Sequence, residues 1–187
     1  MRPGHAYGSF QFRDGRGIVL RALSMRDLVP AVSFVNTLVR ERETNRDLGV
    51  LMDRRVSRRS EGEWLRGVTA GIRRGNVFSV AAFHEGRLVG NSEVHRARQD
   101  DIRHTGVLGI AIVEGYRGGG LGRRMLRLLL ETAAKGGVTL VELRVLSINE
   151  GAIRLYRHLG FKDVGRLPGK IVRDGRRIDE ILMLRQA

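Results

Sequence analysis

The chain has 187 residues, which suits one globular domain, and its 42% hydrophobic content is sufficient for a core. It contains no cysteine, so disulfides, thiolate catalysis and cysteine metal sites are excluded. Its formal net charge of +14 is typical of nucleic-acid binders, but the arginines that supply it are spread along the chain and form no basic tail.

The sequence predicts neither a membrane span nor a secretion signal. No apolar run approaches the roughly 18 residues that a transmembrane helix needs. Residues 1–10 lack the apolar centre of a signal peptide. We therefore expect a soluble cytoplasmic protein with one domain over residues 1–187, in which residues 1–17 form a loose arm or a short edge strand.

The first third of the chain predicts a strand and a helix. Residues 18–22 are apolar except for Arg21 and predict the first strand. Ser24 followed by Asp27 predicts a helix N-terminus, and apolar residues at helical spacing carry this helix to about Arg42.

A second helix is predicted after an irregular, arginine-rich segment, residues 45–57. Ser60 and Glu63 have the spacing of a capping box, which predicts the start of this helix. Gly75 predicts its end.

Two strands joined by a short turn are predicted next, over residues 77–83 and 87–96. Side chains alternate between the two faces of a strand, so Asn91, Glu93 and His95 are expected on one face. The connection that follows predicts a second hairpin with the next strand.

A strand, a glycine-rich loop and a helix start follow one another in residues 107–130. The loop has few side chains, so its backbone N–H groups are free to point outward beside the positive end of the helix dipole, which suits a pyrophosphate. The P-loop signature is missing because no Lys-Ser or Lys-Thr follows the glycines, and the dinucleotide fingerprint lacks its βαβ unit near the chain start.

The remaining segments complete the order β-α-α-β-β-β-α-β-α-β-β. Residues 138–145 predict a strand, and the apolar residues before Gly160 predict a short helix. Residues 161–165 and 178–184 predict the last two strands. This order mixes antiparallel hairpins with one parallel crossover.

Two motifs in this order resemble those of the GNAT N-acetyltransferase superfamily. Residues 117–122, R-x-x-G-x-G, resemble its acyl-coenzyme A loop, and residues 149–161 resemble its N-x-x-A-x-x-L-Y-x-x-x-G-F segment. The resemblance covers about residues 77–184. It implies a mixed α/β GNAT fold, with a mostly antiparallel central sheet, a splayed pair of parallel strands and flanking helices.

The resemblance also implies an activity. It is the transfer of an acetyl group from acetyl-coenzyme A to a primary amine by direct attack in a ternary complex, without a metal. The amine belongs to a small molecule, an amino acid, a protein N-terminus or a lysine. The residues implied to bind the coenzyme are Ala111, Ile112, Val113, Arg117, Gly118, Gly119, Gly120, Leu121, Gly122 and Asn149.

Catalytic residues are also implied by the resemblance. Tyr156 is the expected proton donor to the leaving thiolate, although an aromatic residue at this place is also typical of a core. Glu142 is the favoured base, since it matches a base position in some ribosomal-protein and N-terminal acetyltransferases, and Glu93 is the second candidate. His95, Glu114 and a water relay without an essential base are alternatives.

The acceptor and the partners are not determined at this stage. The positive charge disfavours polyamines unless Asp179, Glu180 or Glu93 forms an acidic pocket, and it favours an acidic or nucleic-acid-associated protein. The alternatives to an enzyme are an acyl-coenzyme A sensor, a structural dimerisation domain and an arginine-rich nucleic-acid-binding module. No helix-turn-helix, zinc or aromatic RNA-reading pattern accompanies the arginines. A homodimer is a further expectation.

Overall fold

The structure, a computed structural model, describes residues 1–12, 14–45, 47–49 and 52–186. Its strands are β1 (Ala6–Gln11), β2 (Gly17–Arg21), β3 (Val77–His84), β4 (Arg87–Arg96), β5 (Thr105–Ile112), β6 (Leu140–Leu146), β7 (Lys162–Arg173) and β8 (Arg176–Gln186). Its α-helices are α1 (Leu28–Thr44), α2 (Arg58–Arg74), α3 (Leu121–Lys135) and α4 (Glu150–His158). Within the described residues, no helix has both the length and the apolar character needed to cross a membrane.

The strands form one sheet in the order β1-β2-β3-β4-β5-β6-β8-β7. Helices α1 and α2 cover one face, where Leu38 and Leu65 join a buried cluster with Ala81. Helices α3 and α4 cover the other face, where Leu129 joins a cluster with Val80. Val80 and Ala81 are neighbours in β3, so the alternation of its side chains supplies both cores. This mixed sheet with flanking helices confirms the predicted fold class.

The N-terminal segment forms an edge strand, one of its two predicted forms. β1 pairs with β2 in antiparallel fashion, with Phe10 opposite Ile18. The first helix begins near its predicted cap, because Asp27 accepts a hydrogen bond from the Ser24 N–H at 2.8 Å. A short 3₁₀ turn at Met25–Asp27 precedes α1.

The second helix begins earlier than predicted. Ser57 is its N-cap, and the Ser57 hydroxyl accepts a hydrogen bond from the Ser60 N–H at 3.1 Å. In return, the Ser60 hydroxyl accepts one from the Ser57 N–H at 3.0 Å. The predicted capping box of Ser60 and Glu63 is wrong, because this pair of serines makes the same reciprocal bonds one turn earlier. Gly75 ends the helix as predicted, with φ of +71°.

Strands β5 and β6 are parallel neighbours that separate along their length. They pair at Thr105 with Leu140, at Gly106 with Val141, and at Val107 with Glu142. Both strands continue beyond this point, but no further pairing joins them in the described part of the chain. The result is a wedge that opens toward the end of β5, as the family resemblance implies.

Candidate active site

The glycine loop connects the end of β5 to α3. A 3₁₀ turn at Glu114–Tyr116 leads into Gly118 and Gly120, whose φ angles are +73° and +86°. This left-handed region strongly favours glycine, so these positions explain why the loop needs it. Gly120 is also the N-cap of α3, which places the loop at the positive end of the helix dipole.

Most backbone N–H groups of this loop have no hydrogen-bond acceptor among the described residues. The Arg117 N–H donates to the Glu114 carbonyl at 3.0 Å, and the Arg124 N–H donates to the Gly120 carbonyl at 3.1 Å. Between them, the N–H groups of residues 118–123 meet no acceptor among the described residues. A consecutive run of unpaired donors at a helix N-terminus suits an anion such as a diphosphate.

The N-terminal hairpin supports this loop, which the sequence did not predict. The Arg16 guanidinium donates to the Gly115 carbonyl at 3.0 Å and lies 4.2 Å from the centre of the Tyr116 ring. Phe12 packs so closely on Gly119 that a Cβ there would overlap its ring. Residues in the segment that was expected to be a loose arm or a short edge strand therefore hold the loop in place.

Arg117, predicted to lie near the phosphates, contacts other groups in this structure. Its Nε donates to the Ile112 carbonyl at 2.7 Å, and its guanidinium pairs with Glu41 of α1. Glu41 also accepts a hydrogen bond from the Glu114 N–H at 2.9 Å. Arg117 therefore ties the loop to β5 and α1, and a direct contact with phosphate stays a prediction.

The edge of β5 that faces the wedge offers main-chain groups. The Val113 N–H donates to the Val89 carbonyl at 3.0 Å, toward β4. In an antiparallel pair the bonding direction alternates, so the main-chain groups of Ile112 and Ile110 point into the wedge. The Ile112 carbonyl is already the acceptor of Arg117 Nε. Ile110 was not among the predicted coenzyme contacts, because main-chain directions leave no mark in the sequence.

Tyr156 lies in α4, and its ring is part of the buried cluster on the face of the sheet that α3 and α4 cover. The residue is 7% exposed, and its ring meets Phe161 edge-on at 6.0 Å between centroids. Burial raises the pKa of Tyr156 to about 12, so the phenol is protonated at neutral pH. No described residue forms a hydrogen bond with its hydroxyl.

Asn149 is the N-cap of α4 and accepts a hydrogen bond from the Ala152 N–H at 3.1 Å.

A cavity of about 470 Å³ lies between α1, α2 and the face of β4 and β5, and we call it the acceptor cavity. Its walls are largely apolar and include Phe34, Leu38 and Trp64. Gly109, Ile110 and Ala111 of β5 line the side next to the wedge. The cavity therefore lies along the same strand that carries the glycine loop at its end.

One wall of the acceptor cavity is polar. Glu93 accepts a hydrogen bond from the Asn91 amide at 3.2 Å, and its second oxygen lies 2.6 Å from His95 Nε2. This hydrogen bond with Glu93 raises the pKa of His95. Asn91, Glu93 and His95 thus share one face, as their alternation in β4 predicts.

Glu61 of α2 completes this wall and was missed in the sequence. It is 5% exposed, and burial together with the negative charge of Glu93 raises the pKa of Glu61. Glu61 Oε1 and Asn91 Oδ1 are buried acceptors without a donor among the described residues. Both oxygens suit a hydrogen-bond donor from a ligand, such as an ammonium. The signal was a carboxylate at helical spacing from the apolar Leu65, on the buried face of α2.

Glu142, the favoured base in the sequence, lies outside the lining of the acceptor cavity. It pairs across the sheet with Val107, which is itself opposite His95. Two strand spacings separate His95 from Glu142, about 10 Å in total. Geometry therefore brings Glu93 into the cavity and leaves Glu142 two strands away.

The other predicted acidic residues also lie away from the cavity lining. Asp179 pairs with Arg166 at 2.6 Å, and Glu180 lies 3.4 Å from Arg144. Glu114 is in the 3₁₀ turn that begins the glycine loop. Across the described part of the chain, no group of three or more histidine, aspartate or glutamate side chains is arranged to hold a metal ion.

Sequence comparison finds a relative that matches part of this chain. The N-alpha-acetyltransferase RimI of Mycobacterium tuberculosis is 40% identical over 86 residues, which are 46% of this chain and 52% of that protein. The matched region thus spans about half the length of that relative.

Solved structures have the same fold. The ribosomal-protein-alanine N-acetyltransferase of Brucella melitensis is 26% identical, with a TM-score of 0.76 over 90% of this chain and 99% of that one. A phosphinothricin acetyltransferase of Sinorhizobium meliloti, solved with acetyl-coenzyme A, is 21% identical, with a TM-score of 0.76 over 90% and 88%. The model of the acetyltransferase (GNAT) family matches residues 44–161. Because this match covers more than half of the chain and includes both the glycine loop and residues 149–161, the protein belongs to the GNAT acetyltransferase family.

Proposed function

We propose that this protein is an N-acetyltransferase that moves the acetyl group of acetyl-coenzyme A to a primary amine in a ternary complex. The observation that carries this proposal is that one strand, β5, borders both halves of the site. The unpaired N–H groups of residues 118–123 follow its end, and the acceptor cavity lies against Gly109, Ile110 and Ala111. Family membership and the activities named for RimI and for the Brucella protein support the same reaction.

The coenzyme half of the site uses backbone groups. The N–H groups of residues 118–123 bind the pyrophosphate, with Arg117 and Glu41 holding the loop in position. The pantetheine arm lies in the wedge between β5 and β6, against the main-chain groups near Ile112. Asn149 holds the start of α4, which carries Tyr156 toward the thioester end.

The acceptor half of the site uses side chains. The amine enters as an ammonium that donates to Glu61 and Asn91. Glu93 then takes its proton and passes it to solvent through His95, whose side chain is 51% exposed. The nitrogen attacks the thioester carbonyl carbon, a C–N bond forms and the C–S bond breaks. The thiolate takes a proton from Tyr156, and the second proton that the nitrogen loses as the amide forms restores the phenol. The products are an amide, free coenzyme A and one proton, which leaves through Glu93 and His95.

Glu93 replaces Glu142 as our favoured base. A base must reach the amine directly or through one water, and Glu93 lies in the cavity wall whereas Glu142 lies two strands away. Glu142 remains the second candidate. Both candidates are glutamates and differ only in position, so the same substitution at each allows their contributions to activity to be compared directly.

A binding assay and a turnover assay test the function together. Thermal-shift titration measures acetyl-coenzyme A binding, since a ligand of the native state raises the melting temperature. Thiol release over a panel of amines measures transfer. We expect saturable binding and amine-dependent thiol release. Binding without turnover on any amine would favour the acyl-coenzyme A sensor, and salt-sensitive nucleic-acid binding without a coenzyme effect would favour the nucleic-acid-binding module.

The expectation of one domain is retained as part of this proposal. A single sheet that includes both β1 and β8 supports it, because these strands lie near opposite ends of the chain. A cytoplasmic location and a homodimer stay predictions, which fractionation and size-exclusion chromatography would test.

A further inference from the structure

A second depression adjoins the acceptor cavity, and it has the opposite charge. It has a volume of about 760 Å³, and we call it the arginine groove because four arginines line it: Arg74, Arg96, Arg98 and Arg103. Trp64 and His95 line both the groove and the cavity. The two depressions are therefore continuous, with Trp64 and His95 at their junction.

The positive charge of the arginine groove is not balanced by ion pairs within the part of the chain that the structure describes. Among the described residues, no carboxylate forms an ion pair with Arg74, Arg98 or Arg103. The acidic residue in the lining, Glu63, is already 3.4 Å from Arg59. Such a concentration of unpaired guanidinium groups favours an anionic ligand.

Arg96 lies deepest among these arginines. Its guanidinium donates a hydrogen bond to the Gly136 carbonyl and lies 5.4 Å from the centre of the Phe78 ring. Its Nε is buried without an acceptor among the described residues. Burial and the neighbouring charge of Arg103 lower the pKa of Arg96. A carboxylate bound between Arg96 and Arg103 would offset the repulsion of their charges, because it supplies the opposite charge.

One face of α2 forms a continuous wall from the cavity to the groove. Glu61 and Trp64 are one turn apart in the cavity, and Arg74 is at the far end of the same helix in the groove. At 1.5 Å per residue, Glu61 and Arg74 are about 20 Å apart along the axis. An extended peptide covers that distance with about six residues.

The groove also lies at the end of β5 opposite the glycine loop. His95 and Arg96 pair with Val107 and Gly106, near the start of β5, whereas the loop follows Ile112 at its end. A long acceptor in the groove therefore approaches the reaction centre from the side that the coenzyme leaves open. Direct attack requires both substrates to be bound together, and this arrangement permits it.

We propose that the acceptor is a polypeptide N-terminus whose amine enters the acceptor cavity and whose acidic residues, within about the first six positions, bind the arginine groove. The inference rests on the N-acetyltransferase function proposed above and specifies its substrate class. The apolar cavity walls accommodate the first side chains. When an N-terminal amine lies in the cavity, the peptide continues in one direction, which one groove can accommodate. When an internal lysine lies there, peptide continues in two directions from the cavity.

The test uses two hexapeptides that differ only in charge, Ala-Val-Asp-Glu-Asp-Glu and Ala-Val-Asn-Gln-Asn-Gln. We expect kcat/KM for the acidic peptide to be at least about 10-fold higher, from roughly one charge-assisted contact. An acidic peptide with a blocked N-terminus and an internal lysine should be a much poorer acceptor. A simple arylalkylamine, tested in the same assay, represents small-molecule acceptors.

A double variant, Arg98→Glu with Arg103→Glu, should remove the preference for the acidic peptide. The matched control is Arg127→Glu with Lys162→Glu, which changes the net charge equally at exposed positions outside both depressions. The control should keep the preference. Acetyl-coenzyme A affinity should be unchanged in both double variants, which separates groove effects from coenzyme effects.

Tryptophan fluorescence measures peptide binding without turnover. Trp64 is the single tryptophan of the chain, it is 37% exposed, and it lies at the junction of cavity and groove. The acidic peptide should change the emission of Trp64 at a lower concentration than the uncharged peptide Ala-Val-Asn-Gln-Asn-Gln does. Added salt should weaken the binding of the acidic peptide.

Each outcome of these assays has one meaning. Equal kcat/KM for the two peptides, a preference that survives the groove variant, or turnover of the small amine but of neither peptide would overturn this inference and leave the proposed function intact. A clear preference for the lysine peptide would assign the groove to internal lysines and overturn the N-terminal assignment. Coenzyme binding without turnover of any amine would overturn the proposed function itself, and the inference with it.

Discussion

In the proposed mechanism, the glycine loop and the acceptor cavity recognise their ligands by different means. The loop uses the unpaired N–H groups of consecutive residues, 118–123, at the positive end of α3. The cavity uses side chains from separate elements, with Glu61 from α2 facing Asn91 and Glu93 from β4. A site made of backbone groups depends on a short segment of the chain, whereas a site made of side chains from separate elements forms only when the chain folds.

The two regions also differ in charge. The loop favours an anion because the helix dipole and free N–H groups point toward the ligand. The polar wall of the cavity favours a cation, although the whole chain has a net charge of +14. The net charge of the chain therefore does not predict the local charge of the cavity, but it agrees in sign with the charge of the adjoining arginine groove. The following experiments test this difference, from the largest expected effect to the smallest.

Gly120→Val should have the largest effect on the coenzyme half alone. Its φ of +86° is unfavourable for a β-branched residue, so the loop must rearrange and its N–H groups move. Loss of about 3 kcal/mol of charge-assisted hydrogen bonding corresponds to roughly 150-fold weaker acetyl-coenzyme A binding. Calorimetric titration measures the affinity, and circular dichroism checks the fold.

The control for this variant is Gly115→Ala. Gly115 has no positive φ and an added Cβ meets no atom within 4 Å, so the affinity should be unchanged. An unaltered affinity in Gly120→Val would remove the loop from the binding mechanism.

Tyr156→Phe should lower kcat by about 100-fold, the scale of a lost general acid. Acetyl-coenzyme A affinity should stay nearly constant, because the ring remains in the core. Stability should change little, since no described residue bonds the hydroxyl. Steady-state kinetics and binding titration measure the two effects separately. Equal losses in turnover and affinity would show that Tyr156 only packs.

The matched control is Tyr7→Phe, because the Tyr7 hydroxyl donates to the Ser79 carbonyl at 3.0 Å. Its removal should cost about 1 kcal/mol of unfolding free energy and leave kcat unchanged.

Glu93→Gln and Glu142→Gln compare the two candidate bases. We expect Glu93→Gln to reduce kcat/KM by roughly 30-fold or more, and Glu142→Gln by less than about threefold. The reason is that only Glu93 lines the acceptor cavity. Thiol release at several pH values measures both variants. The reverse ranking would restore Glu142 as the base and remove Glu93 from proton transfer.

The titration of His95 should show the smallest effect. The hydrogen bond with Glu93 raises the pKa of His95, so its imidazolium persists to higher pH in the folded protein than the ordinary value near 6.5. The stabilisation from this pair is complete below that ordinary pKa while Glu93 is ionised, and it is lost as the pH rises through the raised pKa. NMR titration should show a higher midpoint in the native protein than in Glu93→Gln. Identical midpoints would contradict the coupling between the two residues.

Local patterns predicted most of the elements. The spacing of apolar residues located the helices and the strands, since helix and strand periods are properties of a few turns or residues. The start of α2 was an exception, because two candidate capping pairs, Ser57 with Ser60 and Ser60 with Glu63, overlap and the first makes the bonds. The strand predicted over residues 161–165 was too short, since β7 continues to Arg173. The supporting role of Phe12 and Arg16 was also missed, because their contacts with the glycine loop join distant parts of the chain.

The amino-acid sequence alone determined the glycine loop, because left-handed φ angles and free N–H groups depend on neighbouring residues and on the helix that follows. The resemblance to the family motif indicated Tyr156 as a candidate, and the alternation of side chains in β4 indicated Glu93. The pairing of Glu61 with Glu93 and the place of Glu142 outside the cavity required the folded chain. These relations depend on how α2 packs on the sheet and on which strands are neighbours, and no local pattern encodes the distance between side chains on separate elements.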